Sequence, residues 1–171
     1  MLLRVRRLGP KSHMAAITTS GGLAARCAIG RSGIVSRKRE GDGATPRGLF
    51  SLRCAFYRPD RLPAPLTALP VYPIGKTDGW CDAPNRPEYN QGVQIPFRSS
   101  HERLWRTDRL YDIIVALSHN DEPVVSGLGS AIFMHLASPG FCPTEGCIAV
   151  TRPVMLSLLA RATRETTIVI G

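Results

Sequence analysis

Apolar and polar positions alternate over short segments of this chain, a pattern typical of half-buried β-strands. The stretch LLRVRRL at residues 2–8 shows it most clearly. Other short apolar runs lie at 15–19, 24–30, 49–56, 110–117, 130–136, 146–150 and 166–170. Only RPVMLSLLARAT at 152–163 has helical spacing, with Thr151 as a candidate N-cap and Pro153 tolerated in the first turn. The pattern predicts a mainly β fold with one or two short helices.

Residues 57–105 interrupt this pattern. The segment holds eight of the 14 prolines, which remove hydrogen-bond donors from sheets, so we expect little regular structure there. A long insertion of this kind often forms a lid or a binding loop, and we interpret it as a substrate cap. The candidate substrate-binding residues of the cap are Tyr57, Trp80, Tyr89, Asn90, His101 and Trp105. The alternative is that these aromatic side chains form a small core of their own.

Length and composition limit the class of protein. A chain of 171 residues with 43% hydrophobic and 20% charged residues suits one folded domain, residues 1–171, and excludes a disordered protein. No apolar run approaches the ~20 residues of a membrane span. The basic N-terminus MLLRVRRLGPKSHM is not followed by the apolar segment of a signal peptide.

The charge of the chain is strongly positive. The net charge of +9 suits a carboxylate-rich polymer, a nucleic acid or an anionic lipid surface, but it also suits a solvated basic surface without a partner. The positive charges are scattered, and no block of like charges indicates a nucleic-acid-binding tail.

The stretch IFMHLASPGFCPTEGCIAV at 132–150 carries the candidate chemistry. His135 ends one apolar run and Cys147 begins the next, so the two can meet if the corresponding strands are neighbours. A cysteine acts as a nucleophile as its thiolate and therefore needs a base. Gly146 permits a sharp turn that can aim its own N–H or that of Cys147 at an oxyanion, and Thr144 can stiffen the loop.

Two other interpretations of this stretch stay open. His135 and Cys147 can be ordinary semi-buried residues. A zinc site would use His135, Cys142 and Cys147, but the spacing lacks a C-x2-C pair and an obvious fourth ligand. Of the other cysteines, Cys27 and Cys54 fall in apolar strands, whereas Cys81 and Cys142 fall in loops where they can pair.

The segments SAIFMH…PTEGCIAV and KREGDGATPRGLF together resemble the L,D-transpeptidase catalytic domain family, also called YkuD-like. DGWCDAPNRPEYN, SHERLW and YDIIVALSHND resemble its compact proteobacterial branch, so the resemblance extends from about residue 27 to 150. It implies a YkuD-like β-sandwich with Cys147 as nucleophile, His135 as base and the carbonyl of Leu136 orienting the imidazole. It also implies peptidoglycan stem peptides as donor and acceptor, with no metal, no organic cofactor and no nucleic acid.

The chain departs from the commoner family motif at two positions. That motif has histidine two residues before the cysteine and arginine two residues after it, where this chain has Glu145 and Ala149. A carboxylate beside a thiolate raises the thiol pKa, so we expect Glu145 to point outwards or to pair with a basic residue.

The resemblance to the proteobacterial branch favours 1,3 cross-links, from L-Ala of one stem to diaminopimelate of another, over the 3,3 cross-links of typical members. Two alternatives stay open: hydrolysis at the same Cys–His site, as in an L,D-carboxypeptidase or endopeptidase, and a non-catalytic module that binds cell wall or nucleic acid. The substrate implies a periplasmic location.

Overall fold

The computed structural model describes all 171 residues and contains fourteen strands and one helix. The strands are β1 (Leu2–Arg7), β2 (Met14–Thr19), β3 (Ala24–Ala28), β4 (Ile34–Val35), β5 (Thr45–Pro46), β6 (Gly48–Tyr57), β7 (Val71–Pro73), β8 (Asp78–Cys81), β9 (Gly92–Gln94), β10 (His101–Arg103), β11 (Ile113–Leu117), β12 (Phe133–Leu136), β13 (Ile148–Val150) and β14 (Thr167–Ile170). The helix is α1 (Arg152–Leu159). The mainly β fold predicted from the alternation is confirmed.

One large sheet wraps around the main core. Its strand order is β11-β12-β13-β3-β2-β1-β14-β6-β7, and β6 also pairs with β11, which closes the sheet on itself. Alternation determines which side chains face inwards. In β1, Leu3 and Val5 are fully buried, whereas Arg4 and Arg6 face solvent. The two halves of the closed sheet therefore face each other as the layers of a sandwich.

The helix covers one side of this core. Met155, Leu158 and Leu159 recur at the spacing of one helix face, and all three are buried among the apolar side chains of the sheet. Thr151 is the N-cap residue, but its hydroxyl makes no capping hydrogen bond. The helix ends at Leu159, earlier than the pattern up to residue 163 predicted.

Residues 57–105 contain four short strands after Tyr57, the last residue of β6. After β7, which extends the large sheet beside β6, the strands β10, β8 and β9 form a small antiparallel sheet in that order. Each of these strands has three or four residues. Only a small part of the segment lies in strands, as expected, but these strands give it a defined structure.

Asn90 joins the small sheet to the backbone that leads into β12. Its amide oxygen accepts hydrogen bonds from Trp80 Nε1 at 3.0 Å and from the N–H of Ala131 at 3.0 Å. Its amide nitrogen donates to the carbonyls of His119 and Asn120 at 3.1 and 2.8 Å. The residue is buried and has a φ of 56°, a left-handed conformation that asparagine tolerates better than most residues.

We predict that Asn90→Ala destabilises the fold by about 3 kcal/mol, because it leaves several buried polar groups without partners. The control is Asn85→Ala, at an exposed position of the same segment, which should change the free energy of unfolding by less than about 0.5 kcal/mol. Urea unfolding of the three proteins measures the difference. Equal stability of both variants would contradict the joining role of Asn90.

Candidate active site

His135 and Cys147 are brought together by two parallel strands. β12 pairs with β13 so that Met134 lies opposite Ile148 and His135 opposite Ala149. Continued by one residue, this register places Cys147 beside Phe133, whose N–H donates to the thiol sulfur at 3.4 Å. Because side chains alternate along strands, the histidine and the cysteine fall on the same outer face of the large sheet. Both line a single cavity of about 230 Å³.

The imidazole of His135 is held in one orientation. Only 6% of the residue is exposed, and Nδ1 lies 2.8 Å from the carbonyl oxygen of Leu136. A carbonyl only accepts hydrogen bonds, so Nδ1 carries the proton and Nε2 keeps its lone pair. The ring of Tyr111 packs edge-on against the imidazole, with ring centroids 5.4 Å apart. The histidine is therefore set up to accept a proton at Nε2.

The thiol and the imidazole are both neutral at pH 7. Burial lowers the pKa of His135 to about 4, despite the opposing hydrogen bond to Leu136. Burial raises the pKa of Cys147 to about 12, and the negative charge of Glu102 acts in the same direction. The thiol donates to the carbonyl of Ala131 at 3.2 Å, as a protonated sulfur does. The thiol is therefore a hydrogen-bond donor in the resting site.

Thr144 stiffens the loop before the cysteine. Its hydroxyl donates to the carbonyl of Cys147 at 2.6 Å and accepts from the N–H of Gly146 at 3.2 Å. Its backbone pairs with the chain that follows β3: its N–H donates to Ile29 at 3.0 Å, and its carbonyl accepts from Arg31 at 2.8 Å. These contacts attach the loop to the large sheet.

Gly146 is required by its conformation and its surroundings. Its φ of 141° is one that side chains rarely adopt, and a Cβ placed there would lie 2.8 Å from the carbonyl oxygen of Ala44. Ala44 directly precedes β5, so the chain that leads into the segment TPRG packs against the loop before Cys147. Since the N–H of Gly146 already donates to Thr144, the N–H of Cys147 is left without a partner and can donate to an oxyanion.

The two departures from the commoner motif have different surroundings. Glu145 is exposed and forms an ion pair with Arg31, which confirms the expectation that it points outwards or pairs with a basic residue. Ala149 lines the cavity of about 230 Å³ together with Arg106. The wall that carries an arginine on its own strand in the commoner motif thus receives a guanidinium from the segment before β11.

A second cavity, also of about 230 Å³, opens on another side of Cys147. Glu102, Glu145 and Cys147 line both cavities. The second cavity is otherwise lined by Lys38, Glu40, Gly41, Asp82, Ser130, Ala131 and Ile132. We call the cavity that contains His135 the histidine cavity and the second one the acidic cavity.

The six candidate substrate-binding residues of the cap line neither cavity. Trp80 and Asn90 bond to each other, and the hydroxyl of Tyr89 bonds to Glu40 and accepts from the N–H of Gly129 at 3.0 Å. Trp105 lies under the guanidinium of Arg58. These contacts support the fold, and a role in substrate binding stays a prediction for these residues.

Tyr57 and His101 complete this set. Tyr57 ends β6 opposite Ile113, and His101 begins β10 with Nδ1 2.8 Å from the carbonyl of Ser99. Glu102, the residue after His101 in β10, lines both cavities together with Cys147. The predicted residue His101 and the residue at the site are therefore neighbours in one strand.

The sequence reasoning missed five polar residues that surround the thiol: Glu40, Asp82, Glu102, Arg106 and Tyr111. The available signal was that three of them lie inside the motifs KREGDGATPRGLF, DGWCDAPNRPEYN and SHERLW. Aromatic residues were chosen instead of these acidic ones. Glu102 lies in a strand of three residues, whose facing cannot be read from alternation, and Glu40 and Asp82 lie in loops, which have no such pattern.

The remaining thiols are separate from one another. All five cysteines are free, and Cys81 is buried in β8 whereas Cys142 is exposed, so the conceivable Cys81–Cys142 pair is not formed. Cys142 does line the histidine cavity. No group of three or more His, Cys, Asp or Glu residues is arranged to hold a metal ion.

A buried thiol beside an oriented imidazole, with a free N–H at the cysteine, is the arrangement of enzymes that form thioester intermediates. The family model of the L,D-transpeptidase catalytic domain, YkuD, matches residues 10–170. The chain therefore belongs to the L,D-transpeptidase catalytic domain family. Its members are cysteine-dependent acyltransferases that act on the peptidoglycan of the cell wall, outside the cytoplasm.

Neither a curated protein nor a solved structure matches the chain significantly. The single helix, α1, is not long and apolar enough to cross a membrane.

We predict that Gly146→Ala lowers turnover at least about 10²-fold, because relief of the clash with Ala44 must displace Cys147 from its position. The control is Gly140→Ala. Gly140 has a φ of 80°, but nothing lies within 4 Å of its added Cβ, so it tests the strained backbone without the clash. Steady-state rates and melting temperatures of both variants are compared. Similar loss of turnover in the two would show that the contact with Ala44 is unimportant.

We also predict a pH-dependent stability from His135. Its pKa is about 4 in the fold and 6.5 in the unfolded chain, so the unfolded chain binds more protons between these values. The associated stability is complete above pH 6.5 and is lost as the pH falls towards 4, a change of about 3 kcal/mol. Urea unfolding at several pH values should show a smaller loss for His135→Gln than for the wild type. The same pH dependence in both proteins would mean that His135 titrates normally.

Proposed function

We propose that this chain is a peptidoglycan L,D-transpeptidase that works through a thioester on Cys147. The observation that carries the proposal is the placement of the Cys147 thiol and the His135 imidazole in one cavity by the register of β12 and β13. The proposal extends to the whole chain as a single catalytic domain, residues 1–171, located in the periplasm. Within it, residues 57–105 act as the cap, supported by the presence of Asp82 and Glu102 in the cavity walls.

In the first half-reaction the sulfur of Cys147 attacks the carbonyl of an L-residue that is followed by a D-residue. The thiol proton passes to Nε2 of His135, whose lone pair is free because Nδ1 donates to Leu136. The N–H of Cys147 donates to the oxyanion. The C–N bond then breaks, His135 returns the proton to the leaving amine, and a thioester remains.

In the second half-reaction a primary amine of another stem peptide attacks the thioester carbonyl. His135 takes a proton from the attacking nitrogen and gives it to the departing sulfur, which restores the neutral thiol. No charge has to persist on either catalytic group between the two steps. This agrees with the pKa values of about 4 and about 12, which keep both groups neutral in the resting site.

The surface charge supports a polymer rich in carboxylates as substrate. A groove of about 520 Å³ away from the cysteine is lined by Arg4, Arg6, Arg7 and Arg47. None of the four takes part in an ion pair within the chain. Arginines without an ion-pair partner in the chain are available to attract the stem peptides of a large anionic polymer.

The bond that we propose is the 1,3 cross-link, from L-Ala of the donor to diaminopimelate of the acceptor. Support comes from the altered motif positions: Glu145 is drawn to Arg31, and Ala149 leaves its wall small. A donor that reacts at its first residue presents only a methyl side chain at the acyl carbon, and it brings the sugar near the entrance. The small side chain of Ala149 leaves room on this wall for an acyl residue of this kind.

Incubation with disaccharide-tetrapeptide tests the proposal. Intact-mass spectrometry should show a thioester on the wild type and on Cys142→Ala, but none on Cys147→Ala, and His135→Ala should slow its formation at least about 10²-fold. Loss of the adduct in Cys142→Ala but not in Cys147→Ala would overturn the assignment of the nucleophile.

Tandem mass spectrometry of the dimer then identifies the linkage. Release of a tripeptide led by D-Glu supports the 1,3 link, whereas release of D-Ala with a 3,3 dimer rejects it. A thioester that yields only hydrolysed product identifies a carboxypeptidase or endopeptidase with the same site.

A further inference from the structure

The acidic cavity contains more negative charge than the chain itself compensates. Glu40, Asp82 and Glu102 all line it, and none of the three takes part in an ion pair. The one lysine of the cavity, Lys38, directs its ammonium group to Asp42 and to the carbonyl of Arg39, at 2.6 and 2.8 Å. Its charge is thus already matched within its own turn.

The three carboxylates differ in how well they are satisfied. Glu40 accepts from the hydroxyls of Tyr89 and Ser130. Glu102 accepts one hydrogen bond, from the hydroxyl of Tyr111 at 2.6 Å to Oε2. Asp82 has a fully buried oxygen, Oδ1, without any hydrogen-bond partner. A buried carboxylate oxygen without a donor is costly, so this oxygen indicates a ligand that donates hydrogen bonds.

This charge also opposes the chemistry of the cysteine. The carboxylate of Glu102 raises the pKa of the Cys147 thiol, which makes the sulfur harder to deprotonate. Burial raises the pKa of Glu102, against the hydrogen bond from Tyr111 and the charge of Arg106, and the charges of Asp82 and Glu40 add to the increase. A cation bound between these groups would remove both penalties at once. The carboxylates do not form a group that could hold a metal ion, so an organic cation suits the cavity better.

We propose that Glu102 and Asp82 form the subsite that receives the primary ammonium group of the acceptor stem peptide. The inference rests on the proposed transpeptidation, which requires an amine beside the thioester. Glu102 lines both cavities and therefore stands at their junction with Cys147. Its Oε2 is held by Tyr111, which leaves Oε1 free to accept from the ammonium group, and the carboxylate of Asp82 in the wall of the acidic cavity supplies a second negative charge.

The subsite also explains a preference for amine over water. An ammonium group bound by two carboxylates is concentrated at the cysteine. It gives one proton to the carboxylate of Glu102 and attacks the thioester as the neutral amine, and His135 then passes a second proton from the nitrogen to the departing sulfur. Glu102 releases its proton to solvent when the product leaves. Water is neutral, so the carboxylates do not concentrate it at the cysteine in the same way. In a 1,3 reaction the acyl residue is uncharged, so the amine is the group that the carboxylates can recognise at the sulfur.

The binding test uses Cys147→Ala protein, which cannot react. Its affinity for disaccharide-tripeptide with a free diaminopimelate amine is compared by calorimetry with that for the same compound acetylated on that amine. We expect acetylation to weaken binding about tenfold, as loss of a charged hydrogen-bonded contact does. Adding Glu102→Gln or Asp82→Asn should remove most of this preference, whereas adding Glu88→Gln, whose carboxylate is paired with Arg86, should preserve it. Equal affinity for the two compounds would overturn the proposal.

The reaction test follows the fate of the thioester on otherwise wild-type protein. In Glu102→Gln the ratio of aminolysis to hydrolysis of the thioester should fall about tenfold relative to the wild type. An unchanged ratio would overturn the subsite, because a merely structural role for Glu102 would slow both outcomes together. If the wild type forms no thioester, the proposed function fails, and the calorimetric preference still decides whether the ammonium subsite exists.

Discussion

The parallel pairing of β12 with β13 is the constraint on which the site depends. Its register places His135 opposite Ala149 and Cys147 beside Phe133, so one shift by a single residue would turn the thiol to the other face of the sheet. The inward-facing neighbours Met134 and Ile148 are fully buried, which makes such a shift costly. The hydrophobic core on one face of the sheet thus maintains the alignment of polar groups on the other face.

The same burial sets the chemical state of the site. A thiolate–imidazolium pair would be two charges in a position where almost no solvent reaches, whereas the neutral pair costs little. In the resting site the sulfur of Cys147 is therefore protonated, and Nε2 of His135 is oriented and unprotonated. The carboxylate of Glu102 acts on the thiol pKa in the same direction as burial.

The loop before the cysteine depends on parts of the chain that are distant in sequence. Thr144 pairs with the backbone after β3, and Gly146 fits against Ala44 before β5. The turn segment TPRG and the TEGC loop are nearly a hundred residues apart along the sequence, yet they form one structural unit. The two segments are in contact where the backbones of Ala44 and Gly146 meet. A glycine is needed at position 146 because a Cβ there would clash with Ala44.

The sequence by itself determined the β-rich class of the fold, most strand positions, and the pairing of His135 with Cys147 as candidate chemistry, because alternation and short motifs are local properties. It also predicted correctly that Glu145 would point outwards or pair with a basic residue, which is Arg31. Only the tertiary structure decided which residues of 57–105 reach the cysteine: the aromatic side chains support the fold, and Glu102 and Asp82 face the cavities. The physical reason is that Glu102 lies in a strand of three residues, too short for alternation to show a face, and Asp82 lies in a loop, so the orientation of both side chains depends on packing against distant parts of the chain.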